Sequence, residues 1–315
     1  MNVINTCFLT DDGYAMPTCI AINSMIINKN KESIYNIYVL SMNISEFNEE
    51  MFKKISGENC NIYIIKLDNN YQKFSMEGVS ASPTAINKFS IPEILDNIDK
   101  VIYLDGDIVI KSDLSELYQY DLGDNYIGAV KDINGILKRH FNTFVKNNIF
   151  YFNSGVMLMN LKKMREDKIT EKLIDYRING YNELMDQDAL NFVLRKNVYE
   201  LPFKYNTQTM FTAINKNIDK LKIFLKLSDD VKSYDDLIKE SVILHYSLKS
   251  KPWKAQSGYM FDLWLYYYYK SSFQNIVVER KNKNNKKSGN IIVTKIKALA
   301  KNCRRYRFFK KFSMN

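Results

Sequence analysis

KVIYLDGDIVI spans Lys100 to Ile110. Its first part, Val101–Leu104, is an apolar run of strand length that delivers two carboxylates, Asp105 and Asp107, on either side of Gly106. Side chains two apart on extended backbone point the same way, so two hard oxygen ligands stand together. Such a pair suits a divalent cation and leaves positions open for phosphate oxygens. The intervening glycine lets another molecule approach the backbone. An EF-hand reading fails, because Val109 and Ile110 stand where that loop needs a ligand and a glycine. Taken alone, the pair also reads as a plain surface turn of Asp and Gly.

Outward from this run, strands and helices alternate. Candidate strands are Val3–Leu9, Tyr35–Leu40, Asn61–Leu67, Lys100–Leu104 and Ile127–Val130, and the helices between them are Met16–Asn28, Ser45–Ser56 and Ile86–Asn97. Alternation of this kind predicts an α/β fold with a mostly parallel central sheet flanked by helices. Further on come an apolar run at Gly155–Asn160, a helix from Leu161 to Asn179, another from Gln187 to Arg195, a last buried strand at Val242–Ser247 and an aromatic helix at Tyr259–Ser272. In open sheets of this type ligands lie beyond the carboxyl ends of the strands. Four strand ends carry polar groups: Thr10-Asp11-Asp12-Gly13, Asp105-Gly106-Asp107, Lys131-Asp132 and His245. They predict one convergent site.

Absences narrow the chemistry. The 11 glycines never occur as G-x-G, which removes the dinucleotide fingerprint and the kinase glycine loop. There is no phosphate loop of the G-x-x-x-x-G-K type, no G-x-S-x-G elbow and no H-E-x-x-H. Two histidines, His140 and His245, leave little room for histidine-based acid–base schemes. The four cysteines (Cys7, Cys19, Cys60, Cys303) are too scattered for a disulfide framework or a zinc site and read as free thiols in a reducing compartment. The opening MNVINTCFLTDDG has no basic n-region, so a secretory signal is not expected, and no apolar run reaches the ~18 residues of a membrane-spanning helix.

The net charge of +10 is uneven. Arg280–Asn315 holds 13 Lys and Arg and no acid, so residues 1–279 carry 32 basic groups against 35 acidic ones. A basic nucleic-acid-binding fold is therefore not expected. The expected organisation is a domain over 1–279 and a tail over 280–315. The tail opens with a polar stretch, Lys281–Asn290, and then mixes Ile291, Ile292, Val293, Ile296 and Leu299 with Tyr306, Phe308, Phe309 and Phe312 among arginines and lysines. Cations interleaved with aromatics suit an anionic membrane surface, at ~1 kcal/mol per charge. The other readings are a solvated tail and RNA binding.

FLTDDGYA, YLDGDIV, YFNSGVMLMNLKK, MDQDALN and HYSLKSKPW follow one another in this order. Together they resemble glycosyltransferase family 8, over roughly Met1 to Ser272. The resemblance implies a GT-A fold, a UDP-sugar donor (UDP-galactose or UDP-glucose), Mn²⁺ with Mg²⁺ as the alternative, and transfer with retention to a glycan or glycolipid acceptor such as a lipopolysaccharide core. Position by position, it implies that Asp105, Asp107 and His245 bind the metal and that Lys251 and Lys88 meet the diphosphate. Asp11 would read the uracil or ribose, with Leu9, Thr10 and Gly13 offering backbone contacts and Tyr14 packing on the base. Gly106 belongs to the same acidic motif. Asp132, Asn153, Asp186 and Gln187 would bond the transferred hexose, with Gln187 or Asp186 nearest the anomeric carbon as the candidate catalytic residues. Each has a plainer reading: a core histidine for His245, a core aromatic for Tyr14, helix capping for Asp186 or Asp188.

Two positions depart from the family pattern. Leu248 replaces the usual glycine of H-Y-x-G, which bears on the placement of Lys251, and Gly13 stands where relatives carry Asn. Retention by a covalent intermediate needs a carboxylate beside the anomeric carbon. Gln187 is a poor nucleophile, so same-face attack is expected. The tail would then hold the enzyme at the inner face of a cytoplasmic membrane. The alternatives from other classes are a haloacid dehalogenase-type phosphohydrolase using Asp105, and an inactive lipid- or RNA-binding protein.

Overall fold

The structure is a computed structural model and describes residues 2–67, 87–133, 150–179, 185–209, 218–247, 251–255 and 260–274. Seven strands form the main sheet: β1 (Asn2–Asp11), β2 (Ser33–Met42), β3 (Cys60–Lys66), β4 (Lys100–Leu104), β6 (Ile127–Lys131), β7 (Phe152–Asn160) and β8 (Val198–Glu200). Their order is β3-β2-β1-β4-β7-β6-β8. β5 (Ile108–Ile110), β10 (Ile243–His245) and β9 (Thr207–Gln208) form a second, three-stranded sheet in the order β5-β10-β9. The expected α/β architecture is present, with β1–β2, β2–β3, β1–β4 and β6–β8 all parallel.

β7 is the exception, antiparallel to both β4 and β6. The reversal matters for the site. The first residues of β7, not its last, lie level with the carboxyl ends of its neighbours, and the Asp105 amide donates to the Gly155 carbonyl at 2.8 Å. Both faces of the sheet are covered, as a central strand like Val101–Leu104 requires. Ile4, Phe8, Ile37, Val39, Ile102, Leu104, Val156 and Leu158 pack with helix α1 (Ala15–Asn28) on one face. Cys7, Leu9, Val101, Tyr103, Met157 and Met159 pack against helices Leu161–Glu166 and Met185–Leu194 on the other. Side chains buried this fully contribute ~1.5–3 kcal/mol each.

α1 joins the two sheets. Its Ser24 hydroxyl receives the Ile110 amide at 2.9 Å, and the Asn28 amide donates to the Ile110 carbonyl at 2.9 Å and to the Tyr267 hydroxyl at 2.7 Å. β5, which continues the KVIYLDGDIVI run, is thereby pinned to α1, which also holds the closing helix Phe261–Tyr268.

Several expected boundaries shift. The helix expected over Leu161–Asn179 is two, Leu161–Glu166 and Ile169–Asn179, separated at Lys168, whose φ is 53°. That left-handed residue cannot continue a right-handed helix. Of the helix expected over Ile86–Asn97, Asn87 and Ile91–Ile94 are helical with a turn between them, and Pro92 stands in the first turn of the latter; Ile86 lies outside the described residues. The strand expected at Val242–Ser247 is β10, and it joins the small sheet rather than the central one. Among the described residues no helix is long and apolar enough to cross a membrane. The basic tail, 280–315, lies outside the described residues, as do Leu248 and His140.

Candidate active site at the strand ends

The chain leaves the main sheet at Leu104, turns through Asp105-Gly106-Asp107, and enters the small sheet as β5. β10 pairs antiparallel with β5 so that His245 stands opposite Ile108, and the Tyr246 amide donates to the Asp107 carbonyl at 2.9 Å. Main-chain pairing alone thus brings His245 to the acidic pair across 138 residues of sequence (245 − 107). Ligand atoms of Asp105, Asp107 and His245 all lie within 4.8 Å of one another.

Asp107 is 7% exposed, and His245 is 4% exposed. Asp107 accepts from Lys251 Nζ through one oxygen, and its other oxygen lies 3.3 Å from His245 Nε2. Burial pushes the Asp107 carboxyl up. The charges and hydrogen bonds of His245 and Lys251 more than reverse this and hold it well below the usual carboxylate range. Lys251 also donates to the Tyr246 carbonyl at 2.7 Å, so in this structure it braces Asp107. Asp105 is more open and accepts the Tyr103 hydroxyl at 2.7 Å.

Lys88 is 5% exposed and stands between two carboxylates, at 2.6 Å from Asp186 and 3.6 Å from Asp105. Its ammonium also donates to the Ser154 carbonyl at 3.3 Å and lies 4.7 Å from the centre of the Tyr103 ring. Burial works against its charge, but Asp105 and Asp186 outweigh burial and raise its pKa above the ordinary lysine value. It is a fixed cation beside the acidic pair.

The expected hexose-binding residues also converge. Gln187 Nε2 donates to Asp132 Oδ2 at 2.5 Å, and Gln187 Oε1 accepts from Asn153 Nδ2 and from the Ser154 amide, both at 3.2 Å. Asp186 Oδ2 accepts from the Ser154 hydroxyl at 2.9 Å besides its ion pair with Lys88. Asp186 is therefore committed to the site, whereas Asp188, its neighbour in the helix's first turn, takes the Tyr151 hydroxyl at 2.6 Å.

Two glycines line the acidic turn. A Cβ on Gly155 would lie 2.5 Å from His245 Cε1 and 2.8 Å from Asp105 Oδ2. Only hydrogen fits between those groups. At Gly106 a Cβ would meet Thr18 Oγ1 at 2.2 Å, so that glycine admits the close approach of α1.

At the end of β1, Asp11 accepts the Tyr14 amide at 2.9 Å and so caps the turn Asp12–Tyr14. The Thr10 hydroxyl turns inward, donating to the Asp11 carbonyl at 3.1 Å and accepting from Thr18 at 3.2 Å. Leu9 is buried, and a Cβ on Gly13 would make only ordinary contact. Asp12 holds the Ser45 amide at 2.7 Å and the Asn48 side chain at 2.6 Å, a structural role. The Tyr14 ring packs edge-on against Trp253 at 5.7 Å. Burial, then Asp107, Asp105 and Asp11, push its hydroxyl well above the usual tyrosine value.

Three contributors escaped the sequence reading: Tyr103, Ser154 and Asn206. The first two lie within the quoted motifs YLDGDIV and YFNSGVMLMNLKK. Asn206 has no such signal; it lies between a short turn, Phe203–Tyr205, and β9, fully buried, and bonds His245 Nδ1 at 2.9 Å and Asn153 Oδ1 at 2.8 Å.

The donor set fits a divalent cation. The ligand atoms of two carboxylates and an imidazole lie within 4.8 Å of one another, Gly155 keeps a Cβ away from them, and such a mixed oxygen and nitrogen set suits a divalent metal ion.

A mostly parallel sheet with an acidic pair at the end of a central strand, met by a histidine from a small second sheet, is the architecture of a GT-A-type transferase. The galactosyltransferase LgtC, solved with donor and acceptor sugar analogues, superimposes with a TM-score of 0.70 at 24% identity, over 85% of this chain and 96% of that one. Residues 5–257 match the family described as Glycosyl transferase family 8. General stress protein A of Bacillus subtilis is 29% identical over 255 residues, 78% of this chain and 86% of that protein. Lipopolysaccharide 1,2-glucosyltransferase of Escherichia coli K12 is 27% identical over 261 residues, 79% and 72% of the two chains. The chain belongs to glycosyltransferase family 8, which makes it a transferase; that membership does not favour the phosphohydrolase alternative.

Proposed function

We propose that the protein transfers a hexose, galactose or glucose, from a UDP-sugar to a sugar hydroxyl of a cell-surface glycan, with retention of anomeric configuration and with Mn²⁺ or Mg²⁺ bound. The observation that carries this reading is the meeting of Asp105, Asp107 and His245 within 4.8 Å beside the buried cation Lys88. These three side chains would hold the metal. A divalent ion at such a site stabilises the charge that develops on a departing diphosphate. Lys88 supplies a second, permanent positive charge on the same side of the site.

The residues around the hexose position would fix the sugar by hydrogen bonds. Asp132, Asn153, Asp186 and Gln187 each present a polar group held by another, so little reorganisation remains when substrate arrives. Leaving one buried hydroxyl unpaired costs ~1–3 kcal/mol, the scale on which such a site tells two hexoses apart. Gln187 carries no carboxylate, and the carboxylate of Asp186 is engaged by Lys88 and Ser154. That arrangement supports same-face attack over a covalent intermediate. Asp11 and Tyr14, at the end of β1, would face the nucleoside.

The E. coli relative, a lipopolysaccharide 1,2-glucosyltransferase, supports a lipopolysaccharide or similar glycan as acceptor. Residues 280–315 would hold the enzyme against anionic lipid at the cytoplasmic face of the membrane, where a lipid-linked acceptor is built.

The test is UDP release from UDP-galactose and UDP-glucose in the presence of Mn²⁺, alongside Asp105→Ala and Asp107→Asn. Both variants should lose metal-dependent turnover and Mn²⁺ uptake by calorimetry while retaining a cooperative thermal transition. Wild-type turnover in either one sinks the metal assignment.

A further inference from the structure

We propose that Asn206 is a positioning residue that keeps a proton on Nδ1 of His245, so that Nε2 is the nitrogen presented to Asp105 and Asp107. The inference deepens the metal-site reading above, but its first measurement does not depend on that reading.

The argument is one of hydrogen-bond polarity. His245 Nδ1 lies 2.9 Å from Asn206 Oδ1. A ring nitrogen is donor or acceptor according to tautomer, and an amide can be turned end for end, so the contact alone decides nothing. The neighbours decide it. The amide of Gly155, an unambiguous donor, points at Asn153 Oδ1 at 3.1 Å. The amide of Ser154, another unambiguous donor, points at Gln187 Oε1 at 3.2 Å. At the far end Asp132 Oδ2, a carboxylate oxygen, lies 2.5 Å from Gln187 Nε2. Gln187 and Asn153 are therefore both locked in one orientation. With an oxygen of Asn153 facing it at 2.8 Å, Asn206 must turn its NH₂ that way and its carbonyl toward His245. A carbonyl oxygen only accepts, so Nδ1 must donate.

The chain His245–Asn206–Asn153–Gln187–Asp132 thus runs with every donor pointing one way, from an imidazole N–H to a carboxylate. All five residues are buried, so water does not supply substitute partners. Two consequences follow. In the neutral ring the lone pair is then on Nε2, the atom 3.3 Å from Asp107, a position where only a proton or a cation can be shared with that carboxylate. And the orientation of the cation-side histidine is tied to that of Asn153, Gln187 and Asp132, the residues placed around the sugar. Asn206 touches neither substrate nor metal in this scheme; it acts through His245 and Asn153. Partners of this kind typically alter metal affinity 10–100-fold when removed.

The first measurement is the ring tautomer in the metal-free wild-type chain, by long-range ¹H–¹⁵N correlation at a pH where the imidazole is neutral. The chain has two histidines, so a His140→Gln variant assigns both spectra. The expected pattern has Nδ1 protonated and Nε2 bare. The opposite pattern in the wild type overturns the proposal without any variant of Asn206. The second measurement is Mn²⁺ affinity. Asn206→Leu removes the acceptor and should release the ring to the Nε2-protonated form, with Mn²⁺ affinity falling 10–100-fold. Asn206→Asp keeps an acceptor for Nδ1–H but offers no donor to Asn153. It should retain the tautomer and hold Mn²⁺ affinity within a few-fold, while turnover of UDP-sugar falls. An Asn206→Leu variant with unchanged tautomer and unchanged affinity also overturns the proposal. A wild type that takes up no Mn²⁺ yet shows the expected tautomer removes the metal reading and leaves the role of Asn206 standing.

Discussion

Gly155→Ala is a one-methyl perturbation aimed at the centre of the site. The new Cβ would stand 2.5 Å from His245 Cε1, 2.8 Å from Asp105 Oδ2 and 3.0 Å from Asn153 Oδ1. Carbon atoms in contact settle near ~3.5 Å or more, so about 1 Å of overlap with the imidazole must be relieved. His245 has little room to retreat: it is held by β5 on its main chain and by Asn206 on its ring. Overpacking of this size costs ~1–3 kcal/mol of stability and lowers the melting temperature by on the order of a few degrees. The functional loss should be larger, because a ~1 Å misplacement of a reacting or coordinating group costs ~10²-fold in rate. Gly128→Ala is the control. Its Cβ would meet Leu122 and Leu201 at 3.0–3.3 Å in β6, away from the cluster, and should cost stability alone. Melting curves, Mn²⁺ calorimetry and UDP release on both variants separate the two effects. Gly155→Ala with wild-type Mn²⁺ affinity and turnover would refute the reasoning, as would Gly128→Ala losing Mn²⁺ affinity to the same extent.

Two further predictions concern groups outside the cluster. Lys111 is lowered by burial to about 8, with the Ile238 carbonyl and the Ser241 hydroxyl as partners. Below about pH 8 it is charged in both the folded and unfolded states, and the cost of burying that charge is fully present. Between there and the ordinary lysine value the unfolded chain binds more protons than the folded one. Stability should therefore rise with pH, by up to ~1.4 kcal/mol per unit from this group. Lys111→Met should be more stable in urea at pH 7 and lack that rise between pH 8 and 9; a variant with the wild-type slope refutes the assignment. Deleting residues 280–315 removes 13 basic groups. The truncated chain should leave anionic vesicles in sedimentation assays while hydrolysing UDP-sugar in solution at the wild-type rate. Undiminished vesicle binding would count against a membrane role for the tail.

What the sequence disclosed was mostly local. Val101–Leu104 and the carboxylates after it are legible because apolar runs and the polar groups that end them are properties of neighbouring residues. The direction of β7 was not, since an apolar run reads the same in either orientation. The break at Lys168 was hidden because one residue with positive φ leaves the surrounding helical pattern unchanged. The pairing of β5 with β10 is a register between distant segments; the polar strand end and the ordered motifs of the family both pointed to His245, but neither gave that register. Asn206 lay beyond both routes. A buried asparagine earns its place through partners distant in sequence, and no spacing rule marks it. At Gly106 the close approach that the sequence does not name is that of α1, through Thr18.

Charge balance ties these observations to a cation. Asp105, Asp107, Asp132 and Asp186 stand against Lys88 and Lys251, so the site carries more negative than positive charge before any nucleotide arrives. A diphosphate adds to the excess. Lys88 is shared between Asp105 and Asp186, and Lys251 is spent on Asp107, so neither ammonium meets a phosphate without first weakening a carboxylate pair. Buried ion pairs broken on one side leave an uncompensated charge, which costs ~3–5 kcal/mol. Asp105, Asp107 and His245 would hold a divalent ion whose charge would compensate Asp107, so that Lys251 could turn from Asp107 toward the diphosphate. Metal uptake and nucleotide uptake should then be positively coupled, and UDP should bind measurably tighter with Mn²⁺ than with a chelator present. Equal affinity under both conditions would mean that the carboxylates are compensated by the lysines alone.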